Sequence, residues 1–481
     1  MKFSFPIKIY FIALILRLIP VLLTRNLGIG LDDMFQYDML ARSLASGNGF
    51  RWYAQEDLKL LKPYVDFDLS TAAGYDPQHG LYTSFRAPLY PAFLAFVYSL
   101  SGLGFSRFFA ARLAQAILLG APLAPLTYLV AKNFFPLSFF DENLTEKISR
   151  LSAWIVACYP MLLVYPLGLG TENLFFILLL FSFFYLLKSI KSQSASHFLF
   201  SGMFLALTAL TRSVIFPFAG LTILYFFYLH RGKAFYIAFA FFLIISPWII
   251  RNSILHGKLT GIETSMGYNL YLGYHPEGNG SFIFGPSLDL LTIMDDAERD
   301  TVGTQKALTF IQEQPERIFP LALNRLGFFF GLEKRVLMYF YSNNILGYIP
   351  APLLLLISAV LLLPFVFVSI FAVLGYFAFQ RTSQTNLLNL LFITYIFPHV
   401  LILAEDRFHL ALIPFFTILA ACAIVLMNER KFGPLLTGGR LVFVLALIFL
   451  LVLNWGLELN RDADKITAIL GPNGNQTHFP Y

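Results

Sequence analysis

The feature that most constrains this chain is a series of long apolar segments spaced along almost its whole length. A stretch of about 20 apolar residues can cross a bilayer as a helix, because a helix satisfies its own backbone hydrogen bonds. Of the 481 residues, 57% are hydrophobic and only 13% are charged, whereas a soluble domain carries roughly a quarter charged residues. The sequence therefore predicts an all-α polytopic membrane protein, a single membrane domain over residues 1–481 with about 11 transmembrane helices, within a range of about 10 to 13.

The apolar runs also predict a topology, and one run decides it. If 88–104 crosses the membrane, the basic groups between later spans face outward; if it lies at the interface, they face the cytoplasm, as the positive-inside rule requires. We therefore predict an interfacial helix at 88–104, which leaves two long loops on the outer face, 25–107 and 251–345. The predicted spans lie near residues 7–24, 108–131, 150–166, 171–187, 197–211, 213–229, 234–250, 347–379, 387–404, 408–427 and 440–457.

The formal charge of +6 does not predict a nucleic-acid partner, because the Lys and Arg residues lie in small groups between apolar runs. The two cysteines, Cys158 and Cys422, lie in apolar segments and predict neither a disulfide framework nor a metal cluster. The spacing of His256 and His275 does not match a zinc motif. The sequence thus indicates no metal site and no cofactor, although it leaves dependence on a divalent metal open.

Two adjacent acidic residues follow the first span in the stretch GLDDMFQYDMLARSLASGNGF. Asp33, Tyr37 and Ala41 recur at intervals of four residues, so they share one face of a predicted helix. Helix capping is one explanation for acidic residues at this position. The other is catalysis, since like charges side by side can raise the pKa of one carboxyl and produce a general base. Asp32 and Asp33 are therefore candidate catalytic residues.

Arg86, in SFRAPLYP, has two interpretations that carry equal weight. An arginine at the membrane interface can extend its head to lipid headgroups. Alternatively, its guanidinium can bind a phosphate in a fork, as a ligand for a lipid-linked donor would.

Further polar residues are predicted at the outer-face ends of spans: Glu172, Arg212, Glu405, Asp406, Arg407 and His409. Charged groups at membrane depth are costly and are usually paired or functional. Simple solvation of helix ends fits Glu405 and Asp406 best, whereas Glu172 and Arg212 have longer apolar flanks. In the second loop, the stretch that begins PWIIRN contains residues that can shape a sugar or acceptor site. The candidate substrate-binding residues are Tyr37, Arg251, Asn269, Tyr274 and His409.

Taken in order, these stretches resemble the GT-C glycosyltransferases, specifically the bacterial members similar to protein O-mannosyltransferases and the lipid A aminoarabinose transferase. The resemblance covers most of residues 7–430. Each motif is weak by itself, but their order and spacing are specific. The motifs are D-x-x-x-Y-x-x-x-A-R from Asp33, G-x-G-F from Gly47, R-x-P-L-Y-P from Arg86, A-R-L-x-Q from Ala111, T-E-x-L-F from Thr171, L-T-R from Leu210, P-W-x-x-R-N from Pro247, G-x-N-L-x-x-G from Gly267 and R-F-x-L-x-x-x-P from Arg407.

The resemblance implies a GT-C-type helical bundle with juxtamembrane helices and loops on the outer face. It also implies a reaction in which Asp33 acts as general base on an acceptor while a sugar leaves a polyprenyl phosphate with inversion. Arg86, Arg212 and Arg407 would hold the donor phosphate, and Glu172 would orient the acceptor or a partner of the base. The family usually has Asp-Glu where this chain has Asp33–Met34, so the resemblance leaves open whether Asp32 replaces that Glu.

The implied partners are a polyprenyl-phosphate sugar, membrane lipids and an acceptor that could be protein, lipid or glycan. The expected location is a bacterial inner membrane with the site facing the periplasm or exterior; an archaeal membrane is the alternative. Two other functions act on lipid-linked glycans. A flippase is expected to have charged residues near mid-membrane and repeated halves, and neither is visible in the sequence. A polymerase or ligase fits the early Asp loop and R-x-P-L-Y-P less well.

Overall fold

The structure, a computed structural model, describes residues 4–67, 69, 72–136, 140–192, 194–378, 381–433 and 437–479. The described residues are mostly helical, which confirms the all-α prediction. Two short antiparallel strands, β1 (Arg51–Trp52) and β2 (Leu81–Tyr82), pair with each other. The helices are α1 (Phe5–Leu23), α2 (Asp33–Ala45), α3 (Gln55–Leu61), α4 (Leu89–Ser101), α5 (Arg107–Ala114), α6 (Leu123–Phe134), α7 (Glu142–Cys158), α8 (Pro160–Val164), α9 (Thr171–Lys191), α10 (Ala195–Ala209), α11 (Phe216–His230), α12 (Ala234–His256), α13 (Met266–Tyr274), α14 (Phe284–Asp289), α15 (Asp296–Glu313), α16 (Ile318–Phe329), α17 (Ala351–Phe377), α18 (Ser383–Leu401), α19 (Ile413–Asn428), α20 (Gly439–Arg461) and α21 (Ala463–Leu470).

Several of these helices are long and apolar enough to cross a membrane, so the chain is a multi-pass integral membrane protein. Seven helical segments of the described chain meet that test, and the bent pair α7–α8, with a 55° bend, would add an eighth. One of the seven, Ser213–His256, folds back on itself: Phe216 packs on Phe241 and Phe227 packs on Phe235, which makes α11 and α12 antiparallel. The total of about 11 crossings stays a prediction.

The centre of the bundle is α19, and α20 lies at its edge. In an 18-residue stretch of the apolar segment Phe408–Asn428, 89% of the residues are buried, against 17% in an 18-residue stretch of Gly439–Arg461. Phe183 of α9 packs edge-on against Phe415 of α19, with ring centroids 4.9 Å apart. A side chain at Gly375 of α17 would meet the backbone oxygen of Leu419 at 1.9 Å. A glycine is therefore required where α17 crosses α19, as is common in membrane helix packing.

Helix α4 covers most of the ambiguous run 88–104. Its 13 residues extend about 20 Å, which is short of the roughly 30 Å hydrocarbon core. It packs along α2, where the rings of Tyr37 and Tyr90 meet edge to face at 5.2 Å and the hydroxyl of Tyr98 donates to Asp38 at 3.0 Å. The position of α4 at the membrane interface stays a prediction, with which its length agrees.

The C-terminal residues return to the bundle after α20. The side-chain amide of Asn475 donates to Asn344 at 2.6 Å, and the backbone N–H of His478 donates to the oxygen of Ser342 at 3.1 Å. This tail, residues 463–479, is therefore attached to the loop that follows the π-helix Leu337–Tyr341.

Candidate active site

A cavity of about 1630 Å³ lies at one end of the bundle, which we call the cavity end. Its wall includes the residues after α1, the first turns of α2, α9 and α11, the loop before α19, parts of the second loop and the tail. Four of these elements begin or end apolar spans, so the cavity lies where spans terminate. Its charged wall residues are Asp32, Asp33, Arg86, Glu172, Arg212, Glu263, Arg335, Glu405, Arg407 and Lys465.

Asp32 and Asp33 occupy different positions in helix α2. Asp32 is the N-cap, and its carboxylate accepts the backbone N–H of Met34 at 2.8 Å. Asp33 is the first helical residue, and 37% of its side chain is exposed, next to the cavity. The capping interpretation is therefore correct for Asp32, whereas Asp33 presents its carboxylate to the site.

Asp33 is held between two arginines. The Nη2 of Arg86 donates to one carboxylate oxygen, and the Nη2 of Arg407 lies 3.3 Å from the other. Arg86 also donates from Nε to Gln36 at 2.9 Å, and only 17% of its side chain is exposed. Its guanidinium is therefore bound inside the protein, beside the cavity.

Two more carboxylates extend this ion-pair network from Arg407. Its Nε lies 2.8 Å from Glu405 and 3.7 Å from Glu172. Glu172 also pairs with Nη1 of Arg212 at 2.6 Å, and Glu405 pairs with Nη1 of Arg335 at 3.1 Å. Arg407 is thus the centre of the network, with three carboxylates around one guanidinium. Simple helix-end solvation does not describe Glu405, whose side chain is 11% exposed and bound twice.

The network separates the pKa values of the two neighbouring aspartates. Burial by itself would raise the pKa of Asp33, but the charges of Arg86 and Arg407 outweigh it and hold this pKa well below the usual range. Burial and the charge of Asp33 raise the pKa of Asp32, against the hydrogen bond from Met34. The sequence predicted that one carboxyl of the pair would have a raised pKa. That carboxyl is Asp32, the helix cap, while the arginines keep Asp33 ionised.

Motif residues outside the cavity hold its loops in place. Arg112 donates from Nε to the oxygen of Leu167 at 2.8 Å and from Nη2 to the oxygen of Gly28 at 2.6 Å. Gln115 donates to the oxygen of Pro166 at 2.9 Å. These bonds connect the loop before Asp33 with the loop before Glu172.

The five predicted substrate-binding residues divide into two groups. Tyr37 and Asn269 line the cavity. The other three do not, and the expectation that they face the site needs correction. Arg251 donates to the oxygen of Thr83 at 2.6 Å, and Tyr274 packs under the guanidinium of Arg325. His409 is fully buried, with Nδ1 2.7 Å from the oxygen of Phe329 and Nε2 3.1 Å from Glu333.

Several wall residues were not identified from the sequence. Arg335 follows Glu333 and Lys334 in a charged run that carries no family motif, so only its position beside Glu405 reveals it. Glu263 accepts the backbone N–H of Ser213 at 3.1 Å and also the hydroxyl of that residue. The tail contributes Lys465, His478 and Phe479, although the last predicted span ended at 457.

The described residues contain no group of three or more His, Cys, Asp or Glu side chains arranged to hold a metal ion. Asp33, Glu172 and Glu405 each have arginine partners instead. The arrangement can bind an anion such as a phosphate, because four guanidinium groups reach one cavity.

Comparisons with known proteins returned matches only at the level of structure. No protein-family model matches the sequence, and no curated protein matches it. This chain is similar to the solved structure of ArnT from Cupriavidus metallidurans bound to undecaprenyl phosphate. The match covers 88% of this chain and 77% of the ArnT chain, with 11% identity and a TM-score of 0.40. The match to the apo structure of the same ArnT covers 89% of this chain and 77% of the ArnT chain, with 12% identity and a TM-score of 0.38.

Proposed function

We propose that this chain is a GT-C-type glycosyltransferase that moves a sugar from a polyprenyl-phosphate donor to an acceptor at the outer face of the membrane. One observation carries the proposal. Asp33, Arg86, Arg212 and Arg407 come from four separate parts of the sequence and meet in one cavity at the ends of apolar spans. A polyprenyl carrier lies in the bilayer, so its phosphate would meet the protein at this depth.

The charge distribution supports an outward-facing cavity. The cavity wall includes residues that follow α1, residues that precede α19, and the first residues of α9 and α11. The other end of the bundle, which we call the basic end, contains the first turn of α1 and the ends of α6, α9 and α19. Its charged residues include Lys132, Lys147, Arg150, Lys188, Lys191, Glu429 and Lys431. Basic residues favour the cytoplasmic side, and a bacterial inner membrane would then direct the cavity toward the periplasm.

In the proposed reaction, Arg86, Arg212 and Arg407 bind the donor phosphate and stabilise the charge that develops as it leaves. These arginines are neutralised by carboxylates in the structure. A bound phosphate would compete with Asp33 for Arg86 and Arg407. The carboxylate of Asp33 would then lose the charges that lower its pKa and become a better proton acceptor.

Asp33 would next take a proton from a hydroxyl or amine of the acceptor. The acceptor atom forms a bond to the anomeric carbon while the bond from that carbon to the phosphate oxygen breaks. The polyprenyl phosphate leaves, and the sugar has the inverted configuration. Glu172 would orient Arg212 and Arg407 through its carboxylate, and Tyr37 and Asn269 would contact the sugar or acceptor. Asp32 supports the site by capping α2.

The test is transfer of radiolabelled sugar from a panel of polyprenyl-phosphate sugars, using the purified full-length chain in proteoliposomes. We expect one donor to be consumed and Asp33→Asn to lower the rate by about 10³-fold. Glu277→Gln is the matched control, because Glu277 is exposed and lies outside the cavity wall. Consumption of none of the donors, or full activity of Asp33→Asn, would refute the proposal. Movement of an intact lipid-linked sugar across the bilayer would instead support a flippase.

A further inference from the structure

The segment that carries Arg86 is fixed by an extensive set of buried hydrogen bonds. Asp296, at the start of α15, accepts the hydroxyl of Thr83 at 2.5 Å and the backbone N–H of Ser84 at 2.8 Å through one carboxylate oxygen. Its other oxygen pairs with Arg299 at 3.2 Å. All four of these residues are at most 2% exposed. This carboxylate therefore acts inside the protein and touches neither solvent nor the cavity.

The opposite side of the same segment is bound by α12 and the loop after it. Arg251 donates to the oxygen of Thr83 at 2.6 Å. The hydroxyl of Ser84 lies 2.7 Å from Nε2 of His256 and 3.1 Å from the hydroxyl of Thr264. The backbone N–H of Thr264 donates to the oxygen of Ser84 at 3.0 Å. The first outer loop is thus attached to the second through residues 83 and 84.

Successive backbone N–H and C=O groups of this segment each have a hydrogen-bond partner. The N–H of Thr83 donates to the oxygen of Phe50 at 3.2 Å, and the N–H of Phe85 donates to the hydroxyl of Thr83 at 3.0 Å. Together with the bonds above, every N–H and C=O from the nitrogen of Thr83 to the nitrogen of Phe85 is bound. Hydrogen bonds are directional, so they fix orientation as well as location. An apolar anchor would hold the loop without fixing its rotation.

Burying a carboxylate is costly, and a buried ion pair is weak support for stability. The pair Asp296–Arg299 is therefore better explained by what it orients. Two residues beyond Ser84 is Arg86, whose guanidinium must reach Asp33 and, in the proposed reaction, the donor phosphate. Functional groups need placement within about 0.5 Å, and neighbouring hydrogen bonds supply it.

We propose that Asp296 is a positioning residue for the donor-phosphate site, because it fixes the backbone at Thr83 and Ser84 and thereby the direction of Arg86. This inference rests on the proposed function, since it assigns Arg86 to the phosphate. Asp296 itself contacts no substrate. Its effect passes through the short segment between β2 and α4.

The experiment is a double-mutant cycle of Asp296→Asn and Arg86→Lys in the full-length chain. In Asp296→Asn, an amide replaces the oxygen that pairs with Arg299 or the one that accepts Thr83 and Ser84. We expect the KM for the donor to rise about tenfold with a smaller change in kcat. Arg86→Lys should raise the KM by at least as much, and the double variant should resemble Arg86→Lys alone, because Asp296 acts only through Arg86.

Asp57→Asn is the matched control for loss of a buried carboxylate. Asp57 is 5% exposed and binds Arg42 at 2.6 Å, away from the cavity wall. It should lower the melting temperature without changing the KM for the donor. If Asp296→Asn does not fold, Thr83→Val removes the hydroxyl that donates to Asp296 and accepts the N–H of Phe85, at similar volume, and should raise the KM about threefold.

The outcomes separate this inference from the proposed function. A normal donor KM in Asp296→Asn or Thr83→Val, beside a raised KM in Arg86→Lys, would overturn the positioning role. Additive effects in the double variant would do the same. An unchanged KM in Arg86→Lys would instead remove Arg86 from the phosphate site and refute that part of the proposed function.

Discussion

The cavity end and the basic end of the bundle each contain an ion pair with the same N···O distance, in opposite surroundings. Glu172 and Arg212 are 2.6 Å apart, and so are Lys147 and Glu429. The side chain of Glu172 is 7% exposed, whereas those of Lys147 and Glu429 are 48% and 36% exposed. Water screens the second pair and leaves it with little effect on stability. The two pairs therefore share a distance and differ in their enclosure.

The first way to break this comparison is to remove the central guanidinium. We expect Arg407→Ala to lower kcat/KM for transfer at least about 100-fold, because the donor phosphate loses a ligand and three carboxylates lose a partner. Lys431→Ala, at the basic end, should change it less than about twofold, since Lys431 is half-exposed and lies 3.8 Å from Asp141. The measurement is initial-rate transfer in proteoliposomes. Equal losses in the two variants would contradict the distinction between the ends.

The second test compares stability at the two ends. Glu172→Gln leaves Arg212 without its carboxylate in an enclosed site and should lower the free energy of unfolding by about 3 kcal/mol. Glu429→Gln removes the exposed partner of Lys147 and should lower it by less than about 1 kcal/mol. Denaturant unfolding of the detergent-solubilised chain measures both. If Glu429→Gln proved the more damaging substitution, burial would not be what separates the two pairs.

The smallest expected effect sharpens the comparison within the cavity end, between Asp32 and Asp33. The pKa of Asp33 is lowered by folding, so its contribution to stability is present above its unfolded pKa of about 3.9 and is lost as the pH falls through the folded value. Asp33→Asn should therefore lower stability by about 1 kcal/mol at pH 7, a modest amount because Asp33 is partly exposed, and the deficit should begin to shrink as the pH falls below about 4.

Asp32 should respond in the opposite direction. Its pKa is raised by folding, so the fold favours its protonated form and this contribution is lost as the pH rises. Asparagine caps a helix about as well as aspartate. At pH 7, Asp32→Asn should therefore either increase the free energy of unfolding or lower it by no more than about 0.5 kcal/mol. Thermal unfolding between pH 3 and pH 8 compares the two variants. A larger loss in Asp32→Asn than in Asp33→Asn would reverse the roles assigned here.

Local sequence patterns predicted the helices, because helix formation depends on residues that are close together in the sequence. The four-residue spacing of Asp33, Tyr37 and Ala41 predicted one helix, and α2 begins at Asp33. The apolar runs predicted a membrane bundle because each span satisfies its own backbone. How the run 88–104 packs needed the structure, since the contact of Tyr90 with Tyr37 joins two helices that are far apart in the sequence.

Which side chains line the cavity depends on packing between residues that are far apart in the sequence, so it was harder to predict than the helices. His409 is two residues from Arg407, yet its ring is buried beside Glu333 and Phe365 while Arg407 reaches the cavity. Both residues are in or next to the 3-10 turn Phe408–Leu412, so small differences in rotation decide which side chain enters the cavity. Arg335 was missed for a related reason, because its partner Glu405 is 70 residues away. Sequence order carries no direct information on that contact.

The attachment of the tail has a consequence for the biogenesis of the protein. Lys465, His478 and Phe479 form part of the cavity wall, and they follow the apolar segment Gly439–Arg461 along the chain. During synthesis, the wall cannot close until that segment has entered the bilayer and the residues after it have reached Ser342 and Asn344. A chain whose translation or insertion stops before this point has all of the arginines and Asp33 but an incomplete cavity. Assembly of the cavity wall is thereby coupled to the placement of the segment Gly439–Arg461.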